Sequence, residues 1–158
     1  MRTVYTLLLC LLGCFLSAQK LNVQFLEKIL DASYRSADSL LKGQKFRLSD
    51  RKDGEGYHNY YYTSYEKIEK NRQLLRSLSV MDVYVGQDTS RLILYRTYNK
   101  KDQDELTQQL VAAGYTISKR TGNEFTYKKE NYTVLNKIAE KQFPGTRSVT
   151  AYEFELGR

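Results

Sequence analysis

Few residues in this chain have side chains suited to covalent or proton-transfer chemistry. The 158 residues include one histidine, His58, and two cysteines, Cys10 and Cys14. His58 lies in a ring-rich segment beside Asp53 and Glu55 of the preceding turn, so a carboxylate-oriented general base can be drawn from it. No serine stands in a glycine-elbow context to serve that base, and no glycine loop has phosphate-cradling spacing. Both cysteines fall in the greasy run "LLLCLLGCFLSAQK", Leu7 to Lys20, which leaves the rest of the chain without thiols. Zinc, iron–sulfur and thiol sites then lack ligands, and no metal or cofactor is expected. Paired carboxylates need no histidine, and they define the enzymatic alternative: a small hydrolase or lyase acting on a cell-wall or glycan substrate. No acidic pair stands out to carry it, so no catalytic residue is assigned.

Binding chemistry is better represented. The stretch "YHNYYYTSYEK" gathers Tyr57, Tyr60, Tyr61, Tyr62 and Tyr65, with Lys45, Arg47 and Lys67 nearby. In a strand, alternation sends Tyr60 and Tyr62 to one face and Tyr57, Tyr61 and Tyr65 to the other, so at most one set is core. Exposed rings flanked by cations suit glycans or protein partners. The plainer use of such rings is cross-strand pairing that stabilises a sheet.

Charge and the N-terminus bear on location. Lys and Arg number 25 against 18 Asp and Glu, a net of +7. In an exported protein that balance favours an acidic protein or an anionic glycan as partner over nucleic acid, and equally fits a solvated basic surface. "MRTVYT" supplies a positive charge at Arg2 ahead of an apolar block from Leu7 to Leu16, the order of an export signal. At about ten residues the block is shorter than the roughly 20 needed to span a bilayer as a helix. Two processing routes fit. A cut after Ala18 leaves Gln19 as the first residue and discards both cysteines. Alternatively "LLGC", Leu11 to Cys14, resembles a bacterial lipobox, with Cys14 the lipidated first residue and the only tie to a membrane. Residues 1–18 are read as a removable signal and 19–158 as one domain.

The elements expected to hold these residues are two amphipathic helices and a set of antiparallel strands. Leu21, Phe25, Ile29, Tyr34, Ala37 and Leu41 recur at helical spacing as one helix, and Gly43 is placed to cap it in a left-handed conformation. "KFRLS", a turn at Asp53 to Gly56 and the tyrosine-rich segment read as a hairpin. Residues 66–78 fit a short helix or an exposed strand end. "VMDVYVG" and "RLILYRTYN" read as strands. Asn99 or Asp102 caps a second helix with Leu106, Leu110 and Ala113 on its buried stripe, and Gly114 ends it. Four more segments follow as strands, the last with Tyr152, Phe154 and Leu156 on one face and Glu153 and Glu155 on the other.

Fourteen tyrosines with no tryptophan point the same way, toward a β-rich domain with a wet sheet face. Residues 43–68 and 114–138 share a glycine start, a strand, a glycine turn, a Tyr-rich strand and a closing Lys-Ile. This suggests a tandem α-β-β-β repeat, with units 21–85 and 99–157, in an α+β domain whose helices pack on one sheet face. A protein inhibitor or accessory subunit built from two such units is a third functional reading. Through "FLSAQ" and "LILYRTYNKKDQDELTQQLVAAGY" the chain resembles a loose group of small exported Bacteroidota proteins of unassigned activity. That resemblance implies a periplasmic or envelope location and an α+β fold, and it transfers no site residues.

Overall fold

Alternating apolar residues in eight segments build one antiparallel sheet. The computed structural model describes residues 21–69, 72–142 and 148–158, the side chains of 66–69 and 72–74 excepted. The segment holding Cys10, Cys14, Ala18 and Gln19, and the Lys67 side chain, lie outside the described residues. Among the described residues three helices, α1 (Val23–Asp31), α2 (Tyr34–Gly43) and α3 (Lys100–Ala112), accompany eight strands. These are β1 (Arg47–Gly54), β2 (Tyr57–Glu69), β3 (Arg72–Val85), β4 (Asp88–Thr97), β5 (Thr116–Thr121), β6 (Glu124–Lys129), β7 (Tyr132–Lys141) and β8 (Val149–Gly157). The strand order is β1-β2-β3-β4-β8-β7-β6-β5, so two four-strand meanders meet antiparallel at β4 and β8. The fold is α+β; the four strands expected after the second helix are β5–β8, and each helix-led block carries one strand more than the α-β-β-β unit. The first block ends at Thr97, so a unit closing at Val85 omits β4. Of the two readings of 66–78 the strand end is the one seen: residues 66–69 and 72–78 continue β2 and β3 as paired strands, with Glu66 facing Leu74.

All three helices bury their apolar stripes on one sheet face. Leu26, Ile29, Leu30, Leu41, Leu106 and Leu110 pack against Tyr62, Leu78, Ile93, Tyr95, Phe154 and Leu156. Each such side chain withdrawn from water contributes about 1.5–3 kcal/mol. The expected single first helix is two helices. Ala32 is extended (φ −78°, ψ 155°), and Ser33 caps α2 by accepting from the Ser36 N–H. A serine that offers the backbone a local partner breaks the helix there despite the continuous apolar stripe.

The break is held by a buried ion pair. Arg91 on β4 donates through Nε and Nη2 to Asp82 on β3, at 2.5 and 2.9 Å. Its Nη1 donates to the Ile29 carbonyl at 3.2 Å and to the Ala32 carbonyl. A cation thus satisfies carbonyls that the end of α1 leaves open, at the negative end of the helix dipole. From its other side α1 is tied to the second block. Glu27 accepts from Tyr115 (2.8 Å) and Lys129 (3.0 Å), and Asp31 accepts from Tyr132 (2.8 Å) and Arg158 (2.7 Å). These bonds make α1 the clamp across the β4–β8 seam. A matching node sits at the start of α3, where Asn99 is the N-cap. Asp102 there accepts two bonds from Arg76, at 2.7 and 3.1 Å, and one from Thr97 at 3.1 Å.

The two helix exits are the same motif. The Phe46 N–H donates to the Leu41 carbonyl and the Tyr115 N–H to the Leu110 carbonyl, each at 3.0 Å, with Lys45 and Gly114 as the preceding left-handed residues. Their φ values are 63° and 88°. The left-handed residue after α2 is therefore Lys45, two positions beyond the glycine expected to play that part, because Gly43 is still helical. A side chain at such a position costs roughly 1 kcal/mol. Lys45→Gly is expected to stabilise the protein by about 0.5–1 kcal/mol and Gly114→Ala to destabilise it by about as much, read as opposite shifts of the urea midpoint at constant slope.

The same 69-residue step that relates Lys45 to Gly114 continues into the edge strands. Both edges carry a bulge, at Leu48/Asp50 and at Ile117/Lys119, where Ser49 and Ser118 each donate to a carbonyl of the neighbouring strand. Arg51 lies 5.2 Å from the Tyr60 ring centre and Arg120 4.9 Å from that of Phe125. Bulged, charged edges resist pairing with a further strand, so the sheet ends cleanly on both sides.

Candidate functional site

With the helices on one face, the other face is covered by no described element. Pairing fixes its rows. Asp50, Tyr61, Ser79 and Leu94 stand abreast on β1 to β4; Arg47, Thr63, Ser77 and Arg96 form the next row; Lys52, Asn59, Met81 and Leu92 the one beyond. The outer face of β1–β4 is therefore a polar, ring-bearing surface with cations at its margins. It is dented into a depression of about 350 Å3 lined by Asp50, Lys52, Tyr61, Thr63, Ser77, Ser79 and Arg96, among others.

The sequence-derived patch divides across this geometry. Tyr60 and Tyr62 are 6% and 1% exposed and belong to the helix-side core: Tyr34 stacks on Tyr60 at 4.1 Å, and the Tyr62 hydroxyl donates to Asp38 at 3.2 Å. Burial pushes the Tyr62 phenol far up from its ordinary value. They are removed from the binding set, because strand alternation turns them away from the open face. Tyr57, Tyr61 and Tyr65 share the outer face, with Tyr57 39% and Tyr65 63% exposed. Arg47 lies on that face opposite Thr63. Lys45 sits in the turn between α2 and β1 and on no strand, so it leaves the set.

The residues that complete the site escaped sequence reasoning. Lys52 places its ammonium 5.5 Å from the Tyr61 ring centre. Asn59 and Ser79 are 5% and 8% exposed, recessed into the face. The Ser79 hydroxyl donates to Asn59 Oδ1 at 2.5 Å, and Asn59 Nδ2 donates to the Tyr61 hydroxyl at 2.9 Å. Their period-two spacing around Tyr61 was legible, but the cross-strand partner was not.

Toward the second block the open face becomes an ion-pair ladder. Arg96 donates to Glu153 at 2.7 Å, Lys141 lies 3.0 Å from the same carboxylate, and Lys137 lies 2.8 Å from Glu124. Burial pushes the Glu153 carboxyl up, but Lys141 and Arg96 outweigh it and hold the group below the ordinary value of 4.5. A carboxyl depressed in the folded state adds stability that is complete above its unfolded value and lost as pH falls through the folded one. Glu153→Gln is therefore expected to be less stable than the parent at about pH 7, with the gap narrowing as the pH falls below the ordinary carboxyl value, in urea titrations across that range.

The His58–Asp53 pairing drawn from sequence exists, at 2.7 Å from Nδ1 to Oδ1, but on the helix-side face of the β1–β2 hairpin. Arg51 Nε also donates to Asp53, at 2.9 Å, and this bond is the largest cause of the lowered Asp53 carboxyl. No described side chain is hydrogen bonded to His58 Nε2, and the ring meets Tyr84 edge-on at 5.3 Å between centres. The pair clasps a hairpin. Asp53, Glu140 and Glu153 are all shifted downward, opposite to what a carboxyl acid donor needs.

Among the described residues no cluster of three His, Cys, Asp or Glu is placed to hold a metal ion. Among them, too, no helix is long and apolar enough to cross a membrane. A second depression, of about 300 Å3, lies between the start of α1 and the end of α3; the residues that line it, Gln24 and Gln109 among them, carry no charge. No family model, no curated protein and no solved structure matches this chain.

Proposed function

We propose that this chain is an exported, non-enzymatic module of the cell envelope or the extracellular space that binds a macromolecule, a protein or an anionic glycan, through the open face of β1–β4. The observation that carries the reading is the asymmetry of the sheet. One face is closed by three helices, while the other presents Tyr57, Tyr61 and Tyr65 with Arg47, Lys52 and Arg96, of which Tyr61, Lys52 and Arg96 line the depression. A face left open, with rings at its centre and cations at its margin, has the anatomy of a recognition surface. Export rests on the order of residues before Lys20, and lipidation at Cys14 would tether the same module to a membrane. A protein inhibitor or accessory subunit is this surface with a protein as its partner.

The test is cosedimentation with envelopes isolated from the producing cell. Arg47→Glu with Lys52→Glu is expected to abolish retention, because both exposed side chains border the open face. Lys28→Glu with Arg35→Glu changes the charge equally on the helix layer and is expected to leave retention intact. Equal loss from both pairs would reduce the interaction to net charge and overturn the reading.

A further inference from the structure

We infer that the depression on β1–β4 is a saccharide subsite, and that the residue it takes is a carboxylate-bearing sugar of an acidic glycan. This rests on the reading of the open face as the binding surface and names its ligand class.

The floor is built from groups that both donate and accept. The directional chain from Ser79 through Asn59 to Tyr61 uses the Ser79 proton and one Asn59 proton. It leaves the Ser79 lone pairs free to accept, and the Tyr61 hydroxyl and the second Asn59 proton free to donate. Thr63 and Ser77 add two hydroxyls abreast of Arg96. Donors and acceptors fixed at neighbouring points match the vicinal hydroxyls of a pyranose, each of which also gives and takes a proton. Leu94, abreast of Ser79, and the Tyr61 ring offer apolar surface to its C–H face.

Charge selects an acidic sugar. Lys52 stands at the β1 side, and Arg96 at the β4 side keeps its terminal nitrogens beyond the Nε bond to Glu153. Lys52 and Arg96 stand three strands and two rows apart, so with about 4.8 Å between strands and about 3.4 Å per residue their Cα atoms lie roughly 20 Å apart, at opposite corners of the depression. Asp50, at the rim, accepts from its neighbour's backbone N–H at 2.8 Å and leaves its second oxygen for a sugar hydroxyl. Size favours a sugar over a protein surface. At about 350 Å3 the space lies at the small end of ligand sites, and its polar floor is recessed where the broad contact of a protein would not reach.

The experiment is NMR titration of the purified protein with trigalacturonate, maltotriose and triglutamate. Saturable shifts with trigalacturonate, at least about tenfold weaker binding of maltotriose, and about tenfold loss in each of Tyr61→Ala and Arg96→Gln support the assignment. Ser79→Ala, which removes the chain's first donor without touching a charge, is expected to weaken trigalacturonate severalfold. Unfolding midpoints near the parent's show that the variants remain folded. Triglutamate binding as tightly as trigalacturonate, with no dependence on Tyr61, would overturn the saccharide assignment in favour of charge alone. So would no saccharide binding while envelope retention stays sensitive to Arg47→Glu with Lys52→Glu, and in that case the open-face reading stands. Loss of that sensitivity as well removes both.

Discussion

Arg91→Ala is expected to lower the unfolding free energy by about 3–5 kcal/mol, the largest effect of any polar substitution in the protein. Asp82 and Arg91 have side-chain exposures of 7% and 12%, so removing the guanidinium leaves a carboxylate inside the protein with no counter-charge. It also frees the Ile29 and Ala32 carbonyls where α1 gives way to α2. Against a total stability of about 5–15 kcal/mol for a small domain, such a loss takes at least about a fifth of the margin. Coulomb attraction alone is not the reason. Charge pairs in the interior return little beyond their desolvation, and the damage comes from stranding one partner. Asp82→Leu combined with Arg91→Leu is accordingly expected to recover more than half of the loss, leaving the cost of the two freed carbonyls. Guanidinium unfolding of the parent, the single variant and the double variant measures both effects, and a loss below about 1 kcal/mol in Arg91→Ala would contradict the clamp role given to α1.

The second large effect falls on binding. Tyr61→Ala is expected to weaken the macromolecular interaction at least about tenfold, or about 1.4 kcal/mol, while Tyr65→Ala costs less than threefold. The two rings share a face, but they differ in their support. Tyr61 is partly sheltered, fixed at its hydroxyl by Asn59 and carries the Lys52 ammonium over its ring, whereas Tyr65 is 63% exposed. A ring already held in place loses little entropy when a partner covers it. Tyr61→Phe separates the contributions: it keeps the ring, releases the Asn59 bond, and is expected to fall between the parent and alanine. Titration against the envelope fraction measures all three.

The elements are largely legible in the sequence because each carries its period. The last strand alternates Tyr152, Phe154 and Leu156 against Glu153 and Glu155, and the structure buries the first set and pairs Glu153 outward. Alternation around Tyr61 likewise divided the tyrosines correctly into two faces. What periodicity carries is local, and the misses are those that depend on something non-local or on one backbone angle. The apolar stripe from Leu21 to Leu41 runs unbroken through Ala32, and only the capping hydroxyl of Ser33 marks the division of that helix. A lysine in the left-handed position after α2 violates the usual preference for glycine, so the exit was placed two residues early.

The site was half legible for the same reason. Tyr57, Tyr61 and Tyr65 come from one strand and could be grouped by parity. Ser79, Leu94 and Arg96 join them only through the register of β2 with β3 and β3 with β4. The His58–Asp53 pair shows the opposite case. Its geometry was foreseen, but its face of the sheet was not, and the face decides that it faces away from the depression.

Hydroxyl-radical footprinting with mass spectrometry, with and without the envelope fraction, puts the central claim to its most direct test, because partly or fully exposed tyrosines occupy both faces. Oxidation of Tyr57, Tyr61 and Tyr65 is expected to fall on binding, while that of Tyr34, Tyr84 and Tyr132 stays unchanged. Protection confined to Tyr34, Tyr84 or Tyr132, with the outer-face rings still oxidised at their free rate, would contradict the assignment of the open sheet face as the binding surface.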